Sequence, residues 1–317
     1  MPWHELTLSS EALRGNPLGD PAERPVFVWA PDGGGPYPTV YVLHAHMRAA
    51  RWWFNVEPFE QSYPDVIDSQ APKAVVVLVD GWTSVGGAQW IDSDGIGLYA
   101  TYLCDEIVPM VDSRFPTNGL RALQGKSSGG YGAIVNALRR PDLFHALAAH
   151  APGPALFDVT MPADFAAAAR VLRGRSLADW FAKDFAGLES HDDAVLVELQ
   201  SAALAFGTGV EGSVPFDTET AEIDGGVFAR WLEHDPVRVV AASPDAVARL
   251  RGVWLDAGDR DTYSLDLAAV ALRRAFAAAG LPDDRLHFEL FPGGHRGLGW
   301  RYPLSLAFLL GSLSITL

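Results

Sequence analysis

The segment Gly125-Lys126-Ser127-Ser128-Gly129 constrains the fold of this chain more than any other feature. A short apolar run at 120–124 precedes it and is typical of a strand, and the pattern at 130–139 is typical of a helix. Glycines two residues before and after the serine allow the helix to pack back on the strand after a very sharp turn. The sequence therefore predicts a strained turn that exposes the Ser127 hydroxyl at the C-terminal edge of a sheet.

Two alternative interpretations of this segment have to be weighed. Gly-Lys-Ser also ends the phosphate-binding loop of nucleotide-binding proteins, but that motif needs a glycine at position 120. This chain has Leu120 there, and the nearest glycine, Gly119, is one residue too early. The apolar run 75–80, which ends in an aspartate, also precedes the segment instead of following it. The second alternative, a small-residue turn without chemistry, stays open until partners for Ser127 are found.

Short β-branched and apolar runs alternate with helical patterns along most of the chain. This alternation predicts an α/β fold with a mostly parallel central sheet flanked by helices. The predicted strands cover residues 25–30, 39–44, 74–80, 120–124, 146–150, 252–256 and 286–291. The predicted helices outside the central region cover residues 98–111, 130–139, 265–279 and 304–310.

Residues 155–240 break this alternation. Three helical patterns occur there, at 164–172, 177–185 and 194–206, and a glycine-rich stretch follows at 207–226. No strand of convincing length separates them. We therefore predict one domain over residues 1–317, with residues 155–240 inserted into it as a helical cap.

Charge and composition exclude several classes of partner. The net charge is −15, and no window clusters Lys and Arg, which argues against nucleic acid and anionic membranes. No uninterrupted apolar run reaches the ~18 residues of a membrane span. The single cysteine, Cys104, excludes an intramolecular disulfide. Residues 1–6 lack the basic and apolar regions of a signal peptide, so we expect a cytoplasmic protein. The sequence does not predict an oligomeric state.

A serine hydroxyl is a poor nucleophile near neutral pH unless a base, usually histidine, takes its proton and a carboxylate orients that base. The histidines that follow Ser127 are His145, His150, His191, His234, His287 and His295. His295 lies in the glycine-rich loop 292–297, directly after the last predicted strand, where a base can reach over the sheet edge. His287 lies inside that strand and is expected to be structural.

The loop after the preceding strand offers more than one carboxylate. Asp256, Asp259 and Asp261 all compete for the role, and an aspartate before a helix is also a common cap. Asp256 ends the strand, and Asp259 immediately follows Gly258 and can serve the turn itself. Their positions favour Asp261, which lies just before the next predicted helix.

The negative oxygen of a tetrahedral intermediate needs two backbone N–H donors. Ser128, directly after the nucleophile, is expected to supply one donor. The loop after an early strand is expected to supply the other from His46, with Met47 as second choice. His44 and His46 also form an H-x-H pair, so a metal site has to be considered. No third ligand follows at close spacing, and no metal site is predicted.

Several segments together resemble one family. They are 40–44, 102–115, 125–133, 140–144 and the loop at 293–295. In these segments the chain resembles the Putative esterase branch of the α/β-hydrolases. That branch includes S-formylglutathione hydrolase, feruloyl esterases, enterochelin esterases and the antigen 85 mycolyltransferases.

The resemblance implies an α/β-hydrolase fold and a serine esterase that acts on a small-molecule ester without a cofactor. Ser127 matches the family nucleophile, Asp261 the acid of a G-x-x-D pattern, and His295 the base. Where the family often has His-Gly in the oxyanion loop, this chain has His44-Ala45, and Ser128 stands where methionine is frequent. Both differences leave a backbone N–H in place. An acyltransferase with the same triad, or a catalytically silent binding protein, is the alternative.

Tryptophans follow several of the predicted strands at their C-terminal ends. They are Trp52, Trp53, Trp82, Trp90 and Trp300. Because this edge of such sheets binds ligands, they are candidates for an aromatic wall of the substrate pocket. They could equally well pin loops to the core. With the net charge of −15, the tryptophans favour neutral, apolar or aromatic esters.

Overall fold

Runs of apolar residues form a central sheet in the computed structural model, which describes residues 3–56, 58, 61–209 and 212–314. Within these residues the sheet has eight strands in the order β1-β2-β4-β3-β5-β6-β7-β8. The strands are β1 (Trp3–Ser9), β2 (Glu23–Trp29), β3 (Tyr37–Leu43), β4 (Val75–Val79), β5 (Thr117–Lys126), β6 (Ala146–His150), β7 (Gly252–Gly258) and β8 (Leu286–Phe291). A small separate hairpin pairs Asp92–Ser93 with Gly97–Leu98.

Strands β3 to β8 are all parallel to one another, and β2 is antiparallel to both β1 and β4. Every residue of β4 is buried, as expected for a strand covered on both faces. Apolar side chains pack in one core cluster on each face of the sheet. The predicted α/β architecture is therefore the observed one.

Helices cover both faces of the sheet. The helix α2 is continuous but has a π-helical middle, and consists of Tyr99–Thr101, Tyr102–Ile107 and Val108–Arg114. The others are α1 (Tyr63–Gln70), α3 (Ser128–Arg139), α4 (Phe157–Thr160), α5 (Pro162–Leu172), α6 (Leu177–Lys183), α7 (His191–Phe206), α8 (Gly225–Leu232), α9 (Pro236–Ala241), α10 (Pro244–Arg249), α11 (Leu265–Ala278) and α12 (Arg301–Ser314). Short 3-10 turns cover Ala50–Phe54 and Asp283–Arg285.

The stretch predicted as a cap contains α4 to α9, between β6 and β7. The longest of these helices, α7, begins with a capping box in which Ser190 and Asp193 each accept a hydrogen bond from the other's backbone N–H. Eleven of its residues are buried. The helix packs against α5, α6 and the hairpin strand Asp92–Ser93.

One strand of the central sheet escaped prediction. The edge strand β1 has only exposed and half-buried residues, so its apolar signal is weak. It pairs with β2 over its whole length, from Trp3 opposite Trp29 to Ser9 opposite Glu23.

The parallel strands bring their C-terminal ends to one edge of the sheet. The loops after β3, β5, β7 and β8 all begin at this edge, and α4 to α7 follow the loop after β6. The predicted serine, aspartate and histidine lie on three of these loops.

Candidate active site

Ser127 occupies the sharp turn between β5 and α3. Its backbone has φ 54° and ψ −122°, a conformation that costs energy for any residue with a side chain. Its N–H donates to the carbonyl of His150 at 2.9 Å, and its own carbonyl accepts from Tyr131 at 2.8 Å and from Gly153 at 3.1 Å. These backbone bonds hold the serine in its strained conformation, as in a nucleophile elbow.

The glycines on either side of Ser127 are required by close backbone approach. A Cβ atom on Gly125 would lie 2.3 Å from the carbonyl carbon of Gly129, and one on Gly129 would lie 2.1 Å from the carbonyl oxygen of Leu43. Backbone atoms cannot move aside as the end of a flexible side chain can. The two glycines therefore let α3 pack back against β5 and β3.

His295 and Asp261 meet beside the elbow. His295 Nδ1 lies 2.8 Å from Asp261 Oδ2, and the other oxygen, Oδ1, accepts from the N–H of Tyr263 at 2.8 Å. Because an ionised carboxylate only accepts hydrogen bonds, the proton of the neutral imidazole is on Nδ1. Nε2 is then free to take a proton. The ring of Tyr263 packs against the imidazole at a steep angle, with 4.8 Å between the ring centroids.

The surroundings keep this pair in the charge states that base catalysis needs. Burial lowers the pKa of His295, Asp261 raises it, and the positive charges of Lys126 and Arg296 lower it further, with a net decrease. Burial opposes ionisation of Asp261, but the bonds from His295 and from backbone N–H groups outweigh it and lower its pKa. At neutral pH the histidine is therefore neutral and the aspartate ionised.

Ser127 and His295 line the same cavity. Within the described residues, no side-chain hydrogen bond joins the serine hydroxyl to the imidazole. Catalytic hydrogen bonds of this kind are often long and tighten only when a substrate binds.

The two competing aspartates have other partners. Asp256 Oδ1 lies 2.8 Å from His150 Nδ1, and its Oδ2 accepts from Arg301 Nε at 2.8 Å, deep in the core. Asp259 accepts a hydrogen bond from the N–H of Gly293 at 3.1 Å and so joins the two loops. The structure brings only Asp261 of the three to His295.

Ser128 and the loop after β3 supply the candidate oxyanion donors. Ser128 is the first residue of α3, so its N–H has no acceptor within the helix. Within the described residues the N–H of His46 also has no acceptor. The N–H of Met47 donates to Gly86 at 2.6 Å, which removes the second choice. Both Ser128 and His46 line the cavity.

The two histidines of the H-x-H pair, His44 and His46, contact backbone groups. His44 is buried, its Nε2 accepts from the N–H of Gly81 at 2.8 Å, and its Nδ1 donates to the carbonyl of Ala45 at 2.9 Å. The ring of His46 packs on Gly86 and Gly87, and burial lowers its pKa to about 4. Within the described residues, no group of three His, Cys, Asp or Glu side chains is placed to hold a metal ion.

A cavity of about 690 Å³ lies over the elbow. Helices between β6 and β7 form one wall, with side chains that include Thr160, Met161, Asp164, Leu188, Glu198, Leu199 and Ala202. The loop after β3 contributes Trp52 and Trp53. The predicted cap region therefore covers the serine.

The other predicted pocket tryptophans lie outside the cavity. Trp90 is buried behind the elbow helix, where a Cβ on Gly132 would meet it at 2.5 Å, and its Nε1 donates to the carbonyl of His44. Trp300 packs on Phe291 at a ring distance of 5.6 Å. The carbonyl of Trp82 accepts from Arg24, away from the site. Trp90 is thus a core residue, whereas the side chains of Trp82 and Trp300 are exposed outside the cavity. A tryptophan at a strand end can turn inward or sideways as well as toward the site.

Charged residues that the sequence analysis did not assign also line the cavity. Lys126, Arg48 and Arg296 lie on the triad side, and Asp164 and Glu198 lie on the helical side. Lys126 was visible only as part of a possible phosphate loop. No spacing rule links the two acidic residues to the elbow, because they come from α5 and α7.

The residues of the elbow and of the histidine–aspartate pair lie within the range that a family model matches. The model described as Putative esterase matches residues 21–309. The chain belongs to the Putative esterase family. It is therefore an enzyme that hydrolyses carboxylic esters, with a small-molecule ester as substrate.

Solved structures with the same fold extend over the whole chain. A ferulic acid esterase is 19% identical, with a TM-score of 0.61 and 98% of both chains covered. The S-formylglutathione hydrolase of Agrobacterium tumefaciens is 15% identical, with a TM-score of 0.59, and the match covers 98% of this chain and 95% of that chain. MPT51 of Mycobacterium tuberculosis is 17% identical, with a TM-score of 0.59 and 99% of both chains. At these identities the likeness shows a shared fold, the α/β-hydrolase fold.

In the part of this esterase that the structure describes, no helix is both long enough and apolar enough to span a membrane.

Proposed function

We propose that this esterase works through an acyl-enzyme on Ser127, with His295 as the base and Asp261 orienting it. The observation that carries the proposal is the hydrogen-bonded His295–Asp261 pair beside a serine with φ 54° in one cavity. A carboxylate that accepts from Nδ1 directs Nε2 toward the serine. The N–H groups of Ser128 and His46 are the proposed oxyanion donors.

The reaction proceeds in two halves. The Ser127 oxygen attacks the ester carbonyl while His295 takes the hydroxyl proton, and the tetrahedral oxyanion is held by the two N–H donors. The carbon–oxygen bond to the alcohol then breaks, and His295 gives the proton to the departing oxygen. A water molecule next attacks the acyl-enzyme, again through His295, and releases the acid and free Ser127. Asp261 stays ionised and stabilises the imidazolium.

The cavity supports esters with an apolar or aromatic group. Trp52 is the most exposed aromatic side chain on its wall, and Met161, Leu188 and Leu199 face it from the helical side. We propose that the helices in residues 155–240 act as a cap that shields the acyl-enzyme. The prediction that the ester is also neutral rests on the net charge of the whole chain, which does not describe the cavity.

An acyltransferase with the same triad is the second candidate, because the same acyl-enzyme can react with an alcohol. A panel of aryl and p-nitrophenyl esters, with and without an added acceptor alcohol, separates the two. We expect release of free acid, with the alcohol capturing only a minor fraction of the acyl groups. Predominant transfer to the alcohol would favour the acyltransferase. Absence of turnover and of fluorophosphonate labelling would favour a silent binding protein.

A further inference from the structure

Three basic side chains from three different loops line the cavity beside the nucleophile. Lys126 directly precedes Ser127 at the end of β5, Arg48 lies in the loop after β3, and Arg296 directly follows His295. The chain as a whole has a net charge of −15. The charge around the triad therefore has the opposite sign to the charge of the molecule.

These cations are not engaged in ion pairs with the described residues. Within the described ranges, no ion pair joins Lys126, Arg48 or Arg296 to a carboxylate. The Arg48 guanidinium lies over the ring of Trp52, 4.8 Å from its centroid. Burial lowers the pKa of Lys126 to about 8, Asp261 opposes that decrease, and the two arginines add to it. A partly desolvated ammonium group gains more from an incoming anion than an exposed one does.

Other titratable groups face these cations from two directions. Asp261 and His295 lie on the triad side, while Asp164 and Glu198 lie across the cavity. Burial raises the pKa of Asp164, and it raises that of Glu198 to about 7, so Glu198 is only partly ionised near neutral pH. The three cations therefore face Asp261, Asp164 and a partly ionised Glu198, and positive charge is in excess beside the serine.

We propose that the preferred substrate is an ester that carries a carboxylate near the scissile bond, an inference that rests on the proposed function. Lys126, together with Arg48 and Arg296, binds this carboxylate. Ammonium and guanidinium groups donate charge-assisted hydrogen bonds to carboxylates, and these are stronger than neutral ones. The apolar remainder of the ester would lie against Trp52. This proposal and the neutral-ester prediction make opposite statements about the same cavity.

Two matched pairs of esters test the proposal. In the first, 4-acetoxybenzoate is compared with 4-acetoxybenzamide, which puts the carboxylate on the leaving group. In the second, monophenyl adipate is compared with its terminal amide, which puts the carboxylate on the acyl group. After correction for the hydroxide-catalysed rates, we expect kcat/KM of the acid to exceed that of the amide by roughly tenfold or more in at least one pair. The pair that shows the preference identifies which side of the ester carries the carboxylate.

Variants of Lys126 connect the preference to this side chain. Lys126→Met should lower the acid-to-amide ratio by roughly tenfold, the worth of a hydrogen bond to a charged group. Lys73→Met is the matched control, because Lys73 is exposed just before β4 and so lies at the opposite edge of the sheet. It should leave the ratio unchanged.

The pH dependence provides a test that does not require Lys126→Met to fold. In the wild type the ratio should fall as the pH rises through about 8, where Lys126 loses its charge. In Lys126→Arg the preference should persist and this fall should disappear, since arginine stays charged.

The outcomes distinguish failure of the carboxylate site from failure of the proposed esterase mechanism. Acid-to-amide ratios at or below one in both pairs, with the amides hydrolysed, overturn the carboxylate site and leave the proposed esterase mechanism intact. A preference that neither Lys126→Met nor the pH changes also overturns the role of Lys126. If neither the acids nor the amides are hydrolysed, the proposed function itself fails.

Discussion

The molecule contains two sets of Ser, His and Asp that share a histidine–aspartate hydrogen bond and differ in their surroundings. The proposed active-site set consists of Ser127, His295 and Asp261, and the core set consists of Ser305, His150 and Asp256. In each set the histidine Nδ1 lies 2.8 Å from an aspartate oxygen. In the core set the serine is also hydrogen-bonded, with His150 Nε2 lying 2.8 Å from Ser305 Oγ, whereas within the described residues no such bond joins Ser127 to His295.

The core set has no route to a substrate. His150 and Asp256 are fully buried, and Ser305 lies inside α12 on one face of the sheet. The Ser305 hydroxyl also accepts from Gln124 Nε2 at 2.7 Å and contacts the Tyr302 carbonyl at 3.3 Å. These hydrogen bonds hold Ser305 in the core.

The comparison teaches that the residue types alone do not make a nucleophile. Ser127 lies on a strained turn, faces a cavity and is followed by a helix N-terminus whose N–H groups are free. Ser305 has none of these. We therefore expect substitutions in the active-site set to change activity, and substitutions in the core set to change stability.

The serines should show the largest contrast. Ser127→Ala should lower kcat by roughly 10⁴-fold or more, since triad members act as a unit. Ser305→Ala should leave kcat nearly unchanged and lower the free energy of unfolding by about 1 kcal/mol through lost hydrogen bonds. Steady-state kinetics, chemical denaturation and fluorophosphonate labelling check this. Labelling of Ser305 or Ser128, or an active Ser127→Ala enzyme, would contradict it.

The two aspartates of the loop after β7, Asp261 and Asp259, should show the next largest contrast. Asp261→Asn should lower kcat by a factor on the order of 10⁴ while the protein stays folded, because His295 loses the group that sets its tautomer. Asp259→Asn is the matched control, since an asparagine can still accept from Gly293. It should keep most of the activity. Kinetics and thermal melting of both variants decide the matter, and the reverse pattern would move the acid to Asp259.

The core aspartate should affect stability and not chemistry. Asp256→Asn leaves the buried Arg301 and His150 without their carboxylate, which should cost about 3 kcal/mol of unfolding free energy. Burial opposes ionisation of Asp256, but His150, Trp254 and Arg301 outweigh it and lower its pKa.

The direction of the Asp256 pKa shift determines how the stability of the protein depends on pH. The stabilisation from Asp256 is present above the ordinary aspartate pKa and is lost as the pH falls through the lower folded value. Denaturation of wild type and Asp256→Asn between pH 7 and acid checks both effects. An Asp256→Asn protein with full stability and lost activity would contradict the assignment.

The smallest expected effect concerns the pH profile. Because His295 must be neutral to act as base, kcat/KM should rise with pH, with its midpoint below the ordinary histidine pKa of 6.5. Lys126→Met should move the midpoint upward, because the charge of Lys126 lowers the pKa of His295. A downward shift in Lys126→Met would show that the cation does not act on His295.

Much of the fold could be predicted because its signals are local. The run 74–80 corresponds to β4 (Val75–Val79), and the run 39–44 to β3 (Tyr37–Leu43). Strand β1 was missed, since an edge strand that is half exposed has little apolar periodicity. Helix α12 begins before and ends after its predicted bounds of 304–310, because packing on the sheet, and not local pattern, determines its length.

The candidate site likewise has features that the sequence predicts and features that it does not. The turn at Ser127 is determined by the sequence, because glycines at 125 and 129 are the residues that tolerate such close backbone contact. The positions of Trp82, Trp90 and Trp300 could not be predicted, since a loop can turn a tryptophan toward the core or toward the cavity. Lys126, Arg48 and Arg296 are far apart in sequence, and only the fold shows that they share a cavity.

By itself, the sequence determined the α/β alternation, the elbow and the set of histidines and aspartates available to it. The sequence favoured Asp261 as the partner of His295, and only the tertiary structure showed that Asp256 pairs with His150 in the core. His150 and Asp256 are directly opposite each other in the register of β6 and β7, so the core set follows from strand pairing. Asp261 lies beyond the end of β7, where its loop meets the loop after β8 that carries His295. The physical reason is that strand order and register bring distant residues together, and no local pattern encodes them.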